Sequence, residues 1–134
     1  MAGSKSDYLE DKVLDHVLGG PDYTRPATVY AALYTASPID AGGGIEVSGG
    51  GYERVAITNN STNWPPSSVG VKTNGTDIVF PVATASWGTI EAVGLLDAPT
   101  GGNLLYWATL ETPKTVGAGD TARISAGSFQ VSEN

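Results

Sequence analysis

The sequence has no cysteine, and that one absence excludes disulfides, thiolate metal sites and cysteine nucleophiles together. Histidine is nearly absent too. The single one, His16, lies in an acidic stretch without a second histidine, an HExxH or a Gly-x-Ser-x-Gly, so no triad or histidine metal site can be assembled around it. Basic residues are scarce: seven against fourteen acids give a formal charge of -7, the opposite of the cationic footprint that DNA or an anionic membrane requires. No apolar run approaches the ~20 residues that cross a bilayer, and the N-terminus lacks the basic start and apolar centre of a secretion signal. A soluble chain with no cofactor, no nucleic-acid partner and no membrane partner is expected.

Glycine and proline are abundant instead, at eighteen and eight, and only 16% of residues are charged, which suits many short strands and turns better than a helical bundle. At 134 residues one core is expected. Ser6 to Leu18 is the convincing helix: Leu9, Val13, Leu14, Val17 and Leu18 form its apolar stripe, Ser4 or Ser6 caps it, and Gly19-Gly20-Pro21 ends it. That stripe must cover either the chain's own sheet or a neighbouring subunit. Thr28 to Thr35 and Tyr52 to Thr58 have strand composition, and Asn74-Gly75 is the strongest local hairpin signal, joining Val69–Lys72 to Asp77–Phe80. Two long strands, Phe80–Asp97 and Asn103–Glu111, are expected to meet across Ala98-Pro99-Thr100-Gly101-Gly102 and to carry the core. With Thr121–Ser125 and Phe129–Val131, the count is roughly eight strands, as in a two-layer antiparallel β-sandwich of jelly-roll type. The division expected is residues 1–20 as a helical attachment arm and 21–134 as the β-sandwich domain.

Few residues invite a chemical role. The triplets Gly42–Gly44 and Gly49–Gly51 are followed by Ile45-Glu46 and Tyr52-Glu53, so they lack the Lys-Ser/Thr and helix of a phosphate loop and suit contact loops better. Glu91 and Glu111 are the best-placed pair for glycoside hydrolysis, with Glu91 expected opposite Thr109, but two charges at a sheet rim explain them as well. Asp40, Glu46, Asp97 and Asp120 lie in or beside turns without a calcium-loop pattern. Trp87 and Trp107 sit in the apolar hairpin. Trp64 is the one tryptophan in a polar loop, and so the one available to a glycan.

Several pieces, taken in order, resemble a family of small tailed-bacteriophage virion proteins, often labelled tail-fibre proteins. These are Ser6-Asp7-Tyr8-Leu9-Glu10, Val29-Tyr30-Ala31-Ala32-Leu33-Tyr34-Thr35, Gly43-Gly44-Ile45-Glu46-Val47, Gly50-Gly51-Tyr52, Thr84-Ala85-Ser86-Trp87-Gly88 and Gly102-Asn103-Leu104-Leu105-Tyr106-Trp107. The resemblance runs from about Ser6 to Val131 and brings no catalytic motif. It implies a non-enzymatic structural protein of the virion, assembled in the bacterial cytoplasm, with other capsid or tail subunits as partners. Lacking shaft and repeats, the chain suits capsid decoration, a cement protein or a small fibre or adaptor subunit, as a homo-oligomer and by virion symmetry a trimer. The expected contact residues are Leu9, Val13, Leu14, Val17, Leu18, Ile45 and Val47. The alternative is a carbohydrate or host-receptor binding module using Trp64.

Overall fold

The computed structural model describes residues 1–133. Strand β1 (Ala2–Lys5) leads directly into helix α1 (Asp7–Val17), followed by β2 (Thr28–Ala36), β3 (Ile45–Glu46), β4 (Val55–Thr58) and β5 (Val71–Thr73). Then come β6 (Ile78–Val82), β7 (Gly88–Leu96), β8 (Leu104–Val116), β9 (Thr121–Ile124) and β10 (Gln130–Ser132). The larger layer runs β3-β2-β7-β8-β1-β10-β5, with β4 sharing β2; the smaller layer is the β6–β9 pair. This is the expected all-β, sandwich-like body with an N-terminal helix. Its pairings are antiparallel except between β1 and β10.

The β7–β8 hairpin lies inside the larger layer, as its two apolar faces require. Leu33, Ile90, Val93, Leu95, Leu105 and Ala108 point into one core, which Ile78, Phe80 and Ile124 close from the smaller layer. The opposite face of β2 and β7 holds a second small cluster, Ala32, Tyr34, Ala92 and Leu96. Glycine is required at position 94, because a Cβ there would come within 2.9 Å of the Tyr34 ring.

Four sequence expectations are corrected. The strand read as Phe80–Asp97 is two: the chain breaks at Ala83–Trp87, and Phe80 belongs to the smaller layer while β7 starts at Gly88. Asn74-Gly75 is not a hairpin turn, since β5 pairs with β10 and β6 with β9. Asn74 is instead a buried knot: its Nδ2 donates to Thr76 O and Ser125 O, and its Oδ1 accepts from Phe129 N–H. The two-residue hairpin turn in that region is Val69-Gly70, with both residues at positive φ (51° and 73°). The strand read as Asn103–Glu111 runs further, β8 continuing through Pro113 to Val116.

The fourth concerns residues 1–20, which are not separate from the sandwich. β1 lies between β8 and β10, and Leu9 is 4% exposed within the core. A stretch of Ala-Gly-Ser-Lys carries no strand pattern of its own. Its neighbours supply the ladder hydrogen bonds, and Gly3 admits the close approach, with a Cβ there 3.0 Å from Trp107 O.

Candidate assembly interface

Ser6 positions α1. Its Oγ accepts from Leu9 N–H at 3.2 Å while its own N–H donates to Leu105 O, so the helix cap is bolted to β8 and buried. Asp7 and Glu10 occupy the first turn, where the helix dipole favours acids. Leu9 then faces the core and Val13 packs partly against it. The next apolar residues do not follow. Leu14, Val17 and Leu18 are 59%, 67% and 75% exposed, a contiguous apolar surface on the last turn and cap of the helix. His16 fastens the chain just beyond: its Nδ1 accepts from Tyr23 N–H at 3.0 Å, with the Asp22 carboxylate 3.8 Å away.

The glycine-rich loop is tied to the opposite, N-terminal end of the helix. Asp7 N–H donates to Asp40 O, and Trp107 Nε1–H donates to Asp40 Oδ1 at 2.9 Å. Ile39 and Ile45 project from this loop at 63% and 62% exposure, whereas Val47 is buried at 5%. Of the expected contact residues, Leu9 and Val47 are thus core, Val13 is half-buried, and Leu14, Val17, Leu18 and Ile45 are exposed. The second glycine triplet is a fixture of the body, since Gly50 O accepts from both Trp87 Nε1–H and Thr84 N–H.

One polar network holds the loop in shape. Arg54 grips Glu46 with two hydrogen bonds of 2.8 Å, and its Nη1 donates to Ala98 O and Gly101 O in the β7–β8 turn. Tyr52 O–H donates to Glu46 Oε2 at 2.6 Å and accepts from Leu33 N–H. Burial by itself would push the Glu46 carboxyl up, but the hydrogen bonds from Arg54 and Tyr52 outweigh it and hold it below the usual carboxylate range. The Tyr52 phenol is driven well above its ordinary value by burial and by the Glu46 carboxylate it bonds. A carboxylate locked ionised and fully bonded is a strut, not a general acid.

The remaining carboxylates have separate duties. Asp97 accepts from Asn103, and Asp120 from Gly117 N–H. Asp7, Glu10 and Asp40 bring carboxylate oxygens within 4.8 Å of one another. Asp40 is already engaged by Trp107 and the helix N-terminus offsets the charge, so this cluster carries no metal assignment. Glu91 is exposed at a bulge where Ile90 pairs with Lys114 and Ala92 with Thr109, leaving Leu110, Glu111, Thr112 and Pro113 opposite it. Ala92, not Glu91, therefore faces Thr109. The one-residue difference arises at a second irregularity between Leu95 and Leu96.

Trp64 does not offer its ring to solvent. It is 7% exposed and packs edge-on against Phe129, 6.4 Å between centroids. The loop's polarity is consumed internally, with Asn60 Oδ1 accepting from Thr62 and Asn63 N–H. The Glu46–Arg54–Tyr52 network was not anticipated. Its one sequence signal is Arg54, a charge that breaks strict alternation in the Tyr52–Thr58 stretch, just ahead of β4.

No curated protein matches the chain. The family model described as "Podophage GP4 fiber I protein gp80" matches residues 4–132, which takes in the end of β1, α1 and every later strand. With nearly its whole length covered, the chain belongs to the podophage GP4 fiber I protein gp80 family.

Proposed function

We propose that this protein is a non-enzymatic structural subunit of a tailed-phage particle, a small fibre or adaptor subunit or a capsid decoration, held by contacts with other virion proteins. Family membership supports the virion setting. The observation that carries the attachment reading is the surface of Leu14, Val17 and Leu18, three large apolar side chains left in solvent by a helix whose other face is anchored in the core. Burying them against a partner contributes roughly 1–2 kcal/mol each. Ile39 and Ile45 extend the contact along the loop that Asp40 ties to the helix. A subunit that binds only the assembled form stabilises that form by linkage. Partners are other virion proteins and further copies of this chain, arranged as a trimer.

Deleting residues 1–20 is a poor test, because it removes β1 from between β8 and β10 and takes Leu9 from the core. The better variant is Leu14→Asp with Val17→Asp and Leu18→Asp, which changes only exposed positions. It should fold as the wild type by circular dichroism and fail to enter particles assembled in cells lacking the native gene. Incorporation at the wild-type level would refute this attachment surface.

A further inference from the structure

Behind Trp64 lies a cavity of about 160 Å³ that the assembly reading does not use. Its walls are mainly apolar, with Leu9, Val29, Leu95, Leu105 and Val131 at the base. Trp64, Asn59, Arg25 and Lys72 line it and also line an outer groove of about 550 Å³, so these four residues are the boundary between the two spaces.

Three observations at that boundary point to a ligand. First, Arg25 and Lys72 are two of only seven basic residues in a chain with fourteen acids, yet neither forms an ion pair among the described residues. Second, among the described residues no carboxylate lines either space. Asp97 and Glu133 act on Tyr23 and Tyr106 from outside the lining. Third, Trp64 Nε1–H is buried with no acceptor, the single side-chain polar atom of that kind among the described residues. Sealing such a donor unpaired costs about 1–3 kcal/mol.

We infer that this cavity binds a small amphiphilic anion, an apolar ring or branched group seated in the chamber with its carboxylate held by Arg25 and Lys72. The volume decides the first half: it is close to the ~150 Å³ that accepts a benzene-sized group in an apolar cavity. The aliphatic base decides against a sugar or bare phosphate seated on it, because hydroxyls and charges there would be left unbonded. The paired cations decide the second half, since a carboxylate is the group that two unpaired bases at a partly desolvated mouth hold best. Such an anion exists free as an aromatic or branched acid, and at the end of a protein chain as the last side chain with the terminal carboxylate.

The test is titration of the ¹⁵N-labelled protein, following the three tryptophan indole N–H signals, each assigned by substitution to Phe. The probes are 3-phenylpropionate, its neutral amide, N-acetylphenylalanine as a mimic of a chain end, and inorganic phosphate. The Trp64 signal should move with both carboxylates, and the amide should bind at least about tenfold more weakly. The surface variant Arg25→Ala with Lys72→Ala should weaken carboxylate binding by at least the same factor without altering the Trp87 and Trp107 signals. Tighter binding of N-acetylphenylalanine than of 3-phenylpropionate identifies a chain end as the occupant, and the reverse identifies a free acid. The inference is overturned if acid and amide bind alike, if the double variant binds normally, if phosphate moves the same signal as strongly, or if nothing moves it up to about 10 mM. All these outcomes are independent of particle attachment.

Discussion

Replacing Arg54 by Ala removes four hydrogen bonds at once, two to Glu46 and one each to Ala98 O and Gly101 O. The carboxylate left behind is three-quarters covered, its side chain 25% exposed, and retains only the Tyr52 hydroxyl. Breaking such a pair from one side costs about 3–5 kcal/mol, because the remaining charge stays desolvated without its counter-ion. For a chain of this size that is a fall in melting temperature of roughly 10–20 °C. Thermal and urea unfolding, followed by circular dichroism, measure both quantities. Glu46→Gln separates charge from shape: it leaves the Arg54 contacts to Ala98 and Gly101 in place and should cost less than Arg54→Ala.

The pH series fixes the sign. The Glu46 carboxyl lies below its ordinary value when folded, so its contribution is complete above the unfolded value of about 4.3 and is lost as pH falls through the folded one. The wild type should therefore lose stability faster than Glu46→Gln below about pH 4. A cost under about 1 kcal/mol for Arg54→Ala, or identical acid profiles for wild type and Glu46→Gln, would refute the strut.

Other expectations rest on single sites. Asn74→Ala leaves Phe129 N–H without its acceptor and takes the side-chain donor from Thr76 O and should destabilise by about 2–4 kcal/mol; a loss under about 0.5 kcal/mol in urea denaturation would contradict its role as a knot. Val69 is a β-branched residue at φ 51° with 97% of its surface exposed, so Val69→Asn should stabilise by roughly 1 kcal/mol, and any fall in the urea midpoint would count against the strain. Tyr52→Phe strips a donor from Glu46 and an acceptor from Leu33 N–H. It should cost about 1–3 kcal/mol, and faster amide exchange at Leu33 is the specific sign to look for.

Fold class was legible because its signals are local and redundant. Strand composition recurs in β2, β4, β7 and β8, and the α1 stripe is bracketed by Ser6 and Gly19-Gly20-Pro21. Partners across the sheets were not legible. Asn74-Gly75 has the sequence of a hairpin turn, yet tertiary hydrogen bonds to Ser125 and Phe129 hold Asn74 in another role, while Val69-Gly70 makes the turn against the preference of Val69. β1 is stabilised by β8 and β10 and not by its residues, so no window of sequence could show it. Within α1, Leu9 and Leu14 are alike in type and both on the stripe. What separates them is azimuth: five residues at 3.6 per turn put them about 140° apart, so the face that carries Leu9 and Val13 to the core carries Leu14 and Leu18 to solvent. The Arg25–Lys72–Trp64 cluster spans three loops and strands, and nothing in the spacing joins them.

The most direct measurement is a cryo-EM map of the parent particle at side-chain resolution. The account predicts density from another virion protein, or from a second copy of this chain, packed on Leu14, Val17 and Leu18 and reaching Ile39 and Ile45. A map in which those five side chains face solvent while a different surface makes the contact would contradict it.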